Sequence, residues 1–551
     1  MNNMRVIGKT IALGAGFISL CLSGMAQDSS KKKTIDITST FKPVLRDAVK
    51  LNFSAALPAM DSTKPVLNYS IPVQQVKLPY QPGTLKPVAM QIDSLFPWKN
   101  SQYVKVGAGN NHLPYAQAGF NFGDGKSSFL NLYGEVFASK GKLDFQKHNL
   151  VDVTARGGQM ISEDHQVTAK VGFKGEDYFL YGYRPTTLDF SKRELRQQFQ
   201  TIDGEITLRN TDPSDFGLSY QPSIRVVSFR HKNEDSSARE QNFIFKLPVQ
   251  KTFGKSFGIN LAFIGDMTHY KAQDKSAIKN NLFQLAPSLL LKTPNVSIQT
   301  GILPSWDNSV FHMLPNILAD FTTNDKRFTF QAGYIGYFNK GSMQRFSTIN
   351  PWIAQPSQLL NTRIVELYGG FKGVLAQHFT YNAKLGVQKQ RNVNLFVNDF
   401  RDGKTFETVY APEMDVVTVH GEIGYNKGEK FAFSSGVTYN NFVSVEGQSK
   451  AWGLFPLELH ANLRWKVIDD LYFKTDFIGW DGPAYRNLAG EDRKGDQAYD
   501  LSAGLEFKVT RSFDLWLQMN NILNNRYERW NQYQVYGFNV MGGIIFRFNQ
   551  K

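Results

Sequence analysis

The feature that most constrains this chain is the rhythm of its connections. From about Ser101 onward, short tight turns recur at Gly123-Asp124-Gly125, Ser162-Glu163-Asp164, Asp212-Pro213-Ser214, Gly254-Lys255-Ser256 and Thr293-Pro294-Asn295. The series continues at Thr323-Asn324-Asp325, Ala376-Gln377, Asn426-Lys427-Gly428, Ile468-Asp469-Asp470 and Thr510-Arg511-Ser512. Gly and Asn accept positive φ, Asp and Ser bond the local backbone, and Pro presets φ. Between successive turns lie two strand-like runs joined by a longer, more polar stretch: Arg184–Gln198, His231–Glu240, Lys271–Lys279, Asn339–Asn361, Arg391–Glu413, Val443–Trp452, Asp481–Ala498 and Asn524–Tyr536. A soluble sandwich has no reason to keep short and long connections in phase. A membrane barrel with short periplasmic turns and longer extracellular loops does.

The runs themselves alternate with period two. Val167, Ala169, Val171 and Phe173 alternate with Gln166, Thr168, Lys170 and Lys174. Leu457, Leu459, Ala461, Leu463 and Trp465 alternate with Glu458, His460, Asn462, Arg464 and Lys466. At the chain's end Phe538, Val540, Ile544, Phe546 and Phe548 share one face, and Asn539, Met541, Gly543, Ile545 and Arg547 the other. One fully apolar face opposite a polar one is the barrel pattern. Counting runs predicts an all-β fold: a transmembrane antiparallel β-barrel of about 22 strands spanning 102–551. Aromatics at 13% with only 42% hydrophobic residues suit a wall ringed with Tyr, Phe and Trp around a polar interior.

Residues 1–26 read as a secretory signal: Arg5 and Lys9, a short apolar core from Ile11 to Leu22, then Gly24-Met25-Ala26 before a cut at Gln27. Cys21 is the only cysteine, so the mature chain has neither disulfides nor thiolate metal sites. Loss of Arg5 and Lys9, with no acid, lowers the net charge from +14 to +12. No basic run with interleaved aromatics and no zinc spacing accompanies that charge, which argues against nucleic acid. Lys and Arg facing lipid and lipopolysaccharide phosphates, or lining a pore, account for it. Residues 27–101 differ from the rest: eight prolines between Pro43 and Pro97 exclude a long helix or a central strand. The segment is expected to be either a periplasmic linker or a filler of something wider.

Phe513–Tyr527 resembles the penultimate strand of TonB-dependent receptors. In that family an Asn-(Leu/Ile)-(Phe/Leu)-Asn-x-x-Tyr phrase precedes a last aromatic strand, as Asn521-Ile522-Leu523-Asn524-Asn525-Arg526-Tyr527 does here. The resemblance implies an outer-membrane barrel in solute uptake, coupled to a TonB-type energising protein. These receptors carry a longer folded plug ahead of the barrel. Only 27–101 remain for one here, and Phe41–Lys50 with Asn68-Tyr69-Ser70-Ile71 resembles a subgroup without an ordinary plug. Thr34, Ile35, Asp36, Ile37 and Thr38 form a short β-prone run that suits strand pairing with the energising partner.

Nothing in the spacing points to an enzyme, a cofactor or a metal. The nine histidines lack His-x-x-x-His or His-Glu-x-x-His spacing. Asn398-Asp399-Phe400-Arg401-Asp402-Gly403 lacks the calcium-loop pattern and its terminal Glu. The residues expected to meet a solute lie in the outer loops: Arg345 and Trp352 within Ser342–Leu360, Trp480 and Arg486 at Asp481–Gln497, and Arg526 and Trp530 near the end. A loop Trp either contacts a ligand or simply packs. Two other roles stay open: a scaffold that docks envelope proteins, and a diffusion pore. The pore is least favoured, because a lumen of this width is normally plugged.

Overall fold

The computed structural model describes residues 101–549 apart from Asp235 and Gln377; the expected signal segment and Thr34–Thr38 lie outside them. The described chain is one closed, antiparallel, 22-strand barrel. Each strand pairs with the next in sequence, and the last, Asn539–Asn549, returns to the first, Ser101–Gly109, in register from Ser101↔Asn549 to Gly109↔Met541. Closure leaves no edge with unpaired N–H and C=O groups, the condition for crossing lipid with strands. One wall position is in two pieces. Leu218–Tyr220 and Ser223–Lys232 keep a single register against Ser237–Phe253, interrupted where Pro222 has no N–H to give.

All ten predicted tight turns fall between paired strands at one end of the barrel. Gly123 turns with φ of 99°. The Asp124 carboxylate then accepts from the Lys126, Ser127 and Ser128 backbone N–H groups at 2.9, 2.8 and 2.9 Å. The opposite end departs from expectation in two places. His231–Glu240 and Arg391–Glu413 are largely strand, with only 233–236 and 399–405 between the strands. The flanking strands Phe379–Asn398 and Phe406–Lys427 have 20 and 22 residues, about twice the ~9–11 needed to cross a bilayer. They project beyond it as a ribbon held by burial, with Val393, Leu395 and Ala411 packed in one cluster with Trp452, and Phe396 and Phe406 packed among the loops.

The wall is inverted relative to a soluble protein. Val171 is 60% exposed, and Leu289, Leu367 and Leu385 are likewise open, whereas Lys105 is 5% exposed inside. Inward charges meet one another: Lys384–Glu366 at 2.6 Å, Lys474–Glu506 at 3.0 Å, and both Arg225 and Lys170 on Asp203 at 2.6 and 3.0 Å. Trp306 and Trp465 are exposed near opposite ends of the wall, as belt residues are. In the last strand Phe546 and Phe548 point out and Met541 and Ile545 point in, as the alternation predicts. Trp516 lies inward against Gly107, where a Cβ would come within 2.3 Å of the indole.

Candidate functional site: a cap built from the long loops

The long loops do not stand clear of the barrel. Loop 340–361 turns inward and carries the one helix among the described residues, Met343–Ile349. Ser342 caps it by accepting from Arg345 N at 3.1 Å, Met343 and Phe346 bury one face, and Pro351 ends it. A second acceptor reaches across from the wall. The Glu240 carboxylate, 0% exposed, takes the first-turn N–H groups of Met343 and Gln344 at 2.6 and 3.3 Å and the Asn242 amide at 2.9 Å. At the root of the loop the Lys340 ammonium donates to the Asp266 and Asn280 carbonyls at 2.8 and 2.6 Å. Burial lowers the Lys340 ammonium from its ordinary value, and the Asp266 carboxylate opposes that shift. Asn361 donates to Asp307 at 2.7 Å and to Asn280 at 2.8 Å.

Replacing Glu240 by Ala would strand three donors in a dry site, a local loss of ~3 kcal/mol at about 1 kcal/mol for each unmet group. The expected result is faster hydrogen exchange over 343–350 with wall strands unchanged. Unaltered exchange there would show that the carboxylate does not hold the helix.

Three other loops meet this one. Trp352 stacks on Tyr533 with centroids 3.9 Å apart and donates through Nε1 to the Phe179 carbonyl at 3.1 Å. Ile353 bridges to Phe406, with Phe406 N donating to the Trp352 carbonyl at 3.0 Å. Trp530 packs edge-on against Phe396 and Phe406 at 5.5 and 5.3 Å. The Tyr533 hydroxyl donates to the Lys404 carbonyl. Gln146 and Tyr181 both donate to the Gln534 carbonyl, at 2.7 and 2.9 Å. Loops 180–195, 340–361, 399–405 and 521–538 thus share one buried aromatic core across the barrel's end.

The Asn-rich phrase at 521–527 has a mechanical reading. Asn521 and Asn524 take positive φ of 46° and 49°, which Asn tolerates better than most residues. The Asn521 amide donates to the Asn525 and Tyr536 carbonyls at 2.8 and 2.9 Å, and the Asn524 side chain accepts from Phe538 N at 2.9 Å. Tyr527 donates to Asp500 at 2.9 Å. The phrase turns the chain at the root of the last loop and braces its two ends.

The expected ligand residues divide accordingly. Trp352 and Trp480 are packed, Trp480 against Phe455 and Tyr527 at 4.9 and 4.8 Å. Arg345 donates inward to the Lys340 carbonyl at 2.8 Å. Arg486 lies over Trp452 at 4.9 Å and pairs with Asp492 at 3.7 Å. Arg526 is exposed. Trp530 lines a cleft of ≈ 60 Å³, together with Tyr485 and Lys494 from loop 481–497 and Glu528, Arg529 and Asn531 beside it. Burial raises the Glu528 carboxyl above its ordinary range, although its carboxylate accepts from Gln532 N at 2.7 Å. The carboxylates of Asp399 and Asp402 turn back on their own loop, accepting from Arg401 N and Lys404 N at 2.7 and 3.0 Å. Composition gave no signal for Glu240, Tyr181, Tyr533 or Arg529, since each acts on a residue distant in sequence.

No protein-family model and no curated protein matches the chain. Solved structures match its fold. An iron transporter of Neisseria meningitidis superposes with a TM-score of 0.64 at 10% identity, covering 82% of each chain. A ferric enterobactin receptor of Pseudomonas aeruginosa gives 0.62 at 11% identity over 82% of this chain and 81% of that one. A siderophore receptor of Acinetobacter baumannii gives 0.62 at 10% identity over 82% and 80%.

Proposed function

We propose that this outer-membrane barrel of the TonB-dependent receptor fold serves solute uptake without a conventional plug, its loop end facing outside and its 27–101 segment entering from the periplasmic end. The observation that carries the reading is the closed 22-strand wall with every inward-folded loop at one end. A passage so built is sealed on the side where solute arrives and must be opened by ligand or partner. Iron chelates are the first solutes to test, because the similar structures are of iron and siderophore receptors. Thr34–Thr38 would pair with a TonB-type protein, and basic loop residues would meet lipopolysaccharide phosphates.

Deleting Thr34–Thr38 is expected to lower uptake at least tenfold while barrel assembly, followed by heat-modifiable migration on gels, stays normal. Uptake unaffected by the deletion removes the energising role from that segment. A second reading, a non-transporting scaffold for envelope proteins, is favoured by the burial of Trp352 and Trp480, two of the residues expected to meet a solute. A strain lacking the protein that grows equally on every limiting nutrient, with other envelope proteins co-purifying stoichiometrically, would establish the scaffold instead.

A further inference from the structure

We infer that the cleft between loop 481–497 and Glu528–Asn531 binds a small anionic group, a carboxylate or a phosphate, in the plane of the Arg529 guanidinium. Arg529 is 7% exposed and lines the cleft. Its guanidinium lies over two aromatic rings, Phe455 at 4.0 Å and Trp530 at 4.2 Å. A guanidinium carries five N–H donors in its plane, and stacking leaves them unused. Among the described residues no acceptor receives a hydrogen bond from this side chain, Nη1 is buried without a partner, and no carboxylate lies within ion-pair distance. Glu458 is the acid that acts on it electrostatically, from beyond that distance.

The neighbouring cations are otherwise met. Lys494 pairs with Asp481 at 2.7 Å, and Arg486 has Asp492 at 3.7 Å and the Ser449 hydroxyl at 3.3 Å. Glu528 is engaged with Gln532 N. Asp496 also lines the cleft, and its negative charge opposes any anion that the guanidinium does not hold directly. A buried cation packed against two rings, with no acceptor for its N–H groups, is a fork set for a planar carboxylate or a phosphate. At ≈ 60 Å³ the cleft takes a single acidic group, so a larger ligand would present one acidic arm there. The inference rests on the uptake reading only for what becomes of the bound molecule.

The test uses the full chain in detergent micelles, with intrinsic tryptophan fluorescence as the readout because Trp530 lies against Arg529. Sodium phosphate and sodium citrate are titrated separately against chloride at matched ionic strength. Wild type and Arg511→Gln, at an exposed tight turn of the other end, are expected to show the same saturable change, and Arg529→Gln to bind at least tenfold more weakly. Tighter citrate binding identifies a soluble acid as the natural source, and tighter phosphate binding a phosphorylated headgroup; either supports the site. No saturable change with either anion, or an unaltered titration in Arg529→Gln, overturns it. If Arg529→Gln loses heat-modifiable migration, Arg529→Lys keeps the charge without the fork and is expected to weaken binding in the same direction. Binding without uptake would sink the uptake reading alone, and uptake without anion binding would sink this site alone.

Discussion

Excising residues 340–361 and joining Asn339 to Thr362 through a two-residue turn converts a closed barrel into a conducting one. Asn339 and Thr362 are directly opposite partners, so the excision leaves the wall's register intact. It removes Trp352 from the face of Tyr533 and Met343 and Phe346 from the core, the contacts that hold four loops together across the end. Loops 180–195, 399–405 and 521–538 then retain only their roots and their contacts with one another. In planar bilayers the intact chain is expected to stay closed and the excised chain to conduct at least tenfold more. The same excision in a chain also lacking residues 27–100 separates the two ends of the passage. If only the double deletion conducts, the N-terminal segment also blocks the lumen. If neither conducts, the loop is not the seal.

Val171→Arg is expected to destabilise the barrel by ~2–4 kcal/mol in lipid, the cost of a cation on the lipid face near the bilayer midplane. Val171 is near the middle of His165–Phe179 and among the most exposed apolar residues of the wall. In a soluble sheet the same change at so exposed a position would cost ~0.5 kcal/mol or less. Thr168→Arg, on the inward face of the same strand, is the control and is expected to stay near neutral. Urea unfolding in phospholipid vesicles measures both. Equal, small costs at the two positions would contradict a lipid-facing wall.

These two predictions draw on different levels of the molecule. The wall was legible in the sequence because its determinants are local. Asp124 and Gly123 make their turn from residues within five positions, and the alternation through Val167–Phe173 or Phe538–Phe548 requires only that one face meet lipid and the other the lumen. Ten such turns held in phase fix the strand number closely, since one missed strand would put every later tight turn at the opposite end of the barrel.

Polar composition at Arg391–Glu413 looked like loop, because the burial of Val393, Leu395 and Ala411 against Trp452 joins segments that only the folded chain brings together. What the long stretches do was decided only by closure of the wall. Bringing the first and last strands together places loop 521–538 beside loop 180–195. Only then do Trp352 and Tyr533 stack, Glu240 receive a helix from a hundred residues away, and Arg529 lie over two rings with its N–H groups unmet. Local chemistry determined the barrel, and three-dimensional proximity determined its cap, because the contacts that join one loop to another relate residues that no sequence spacing relates.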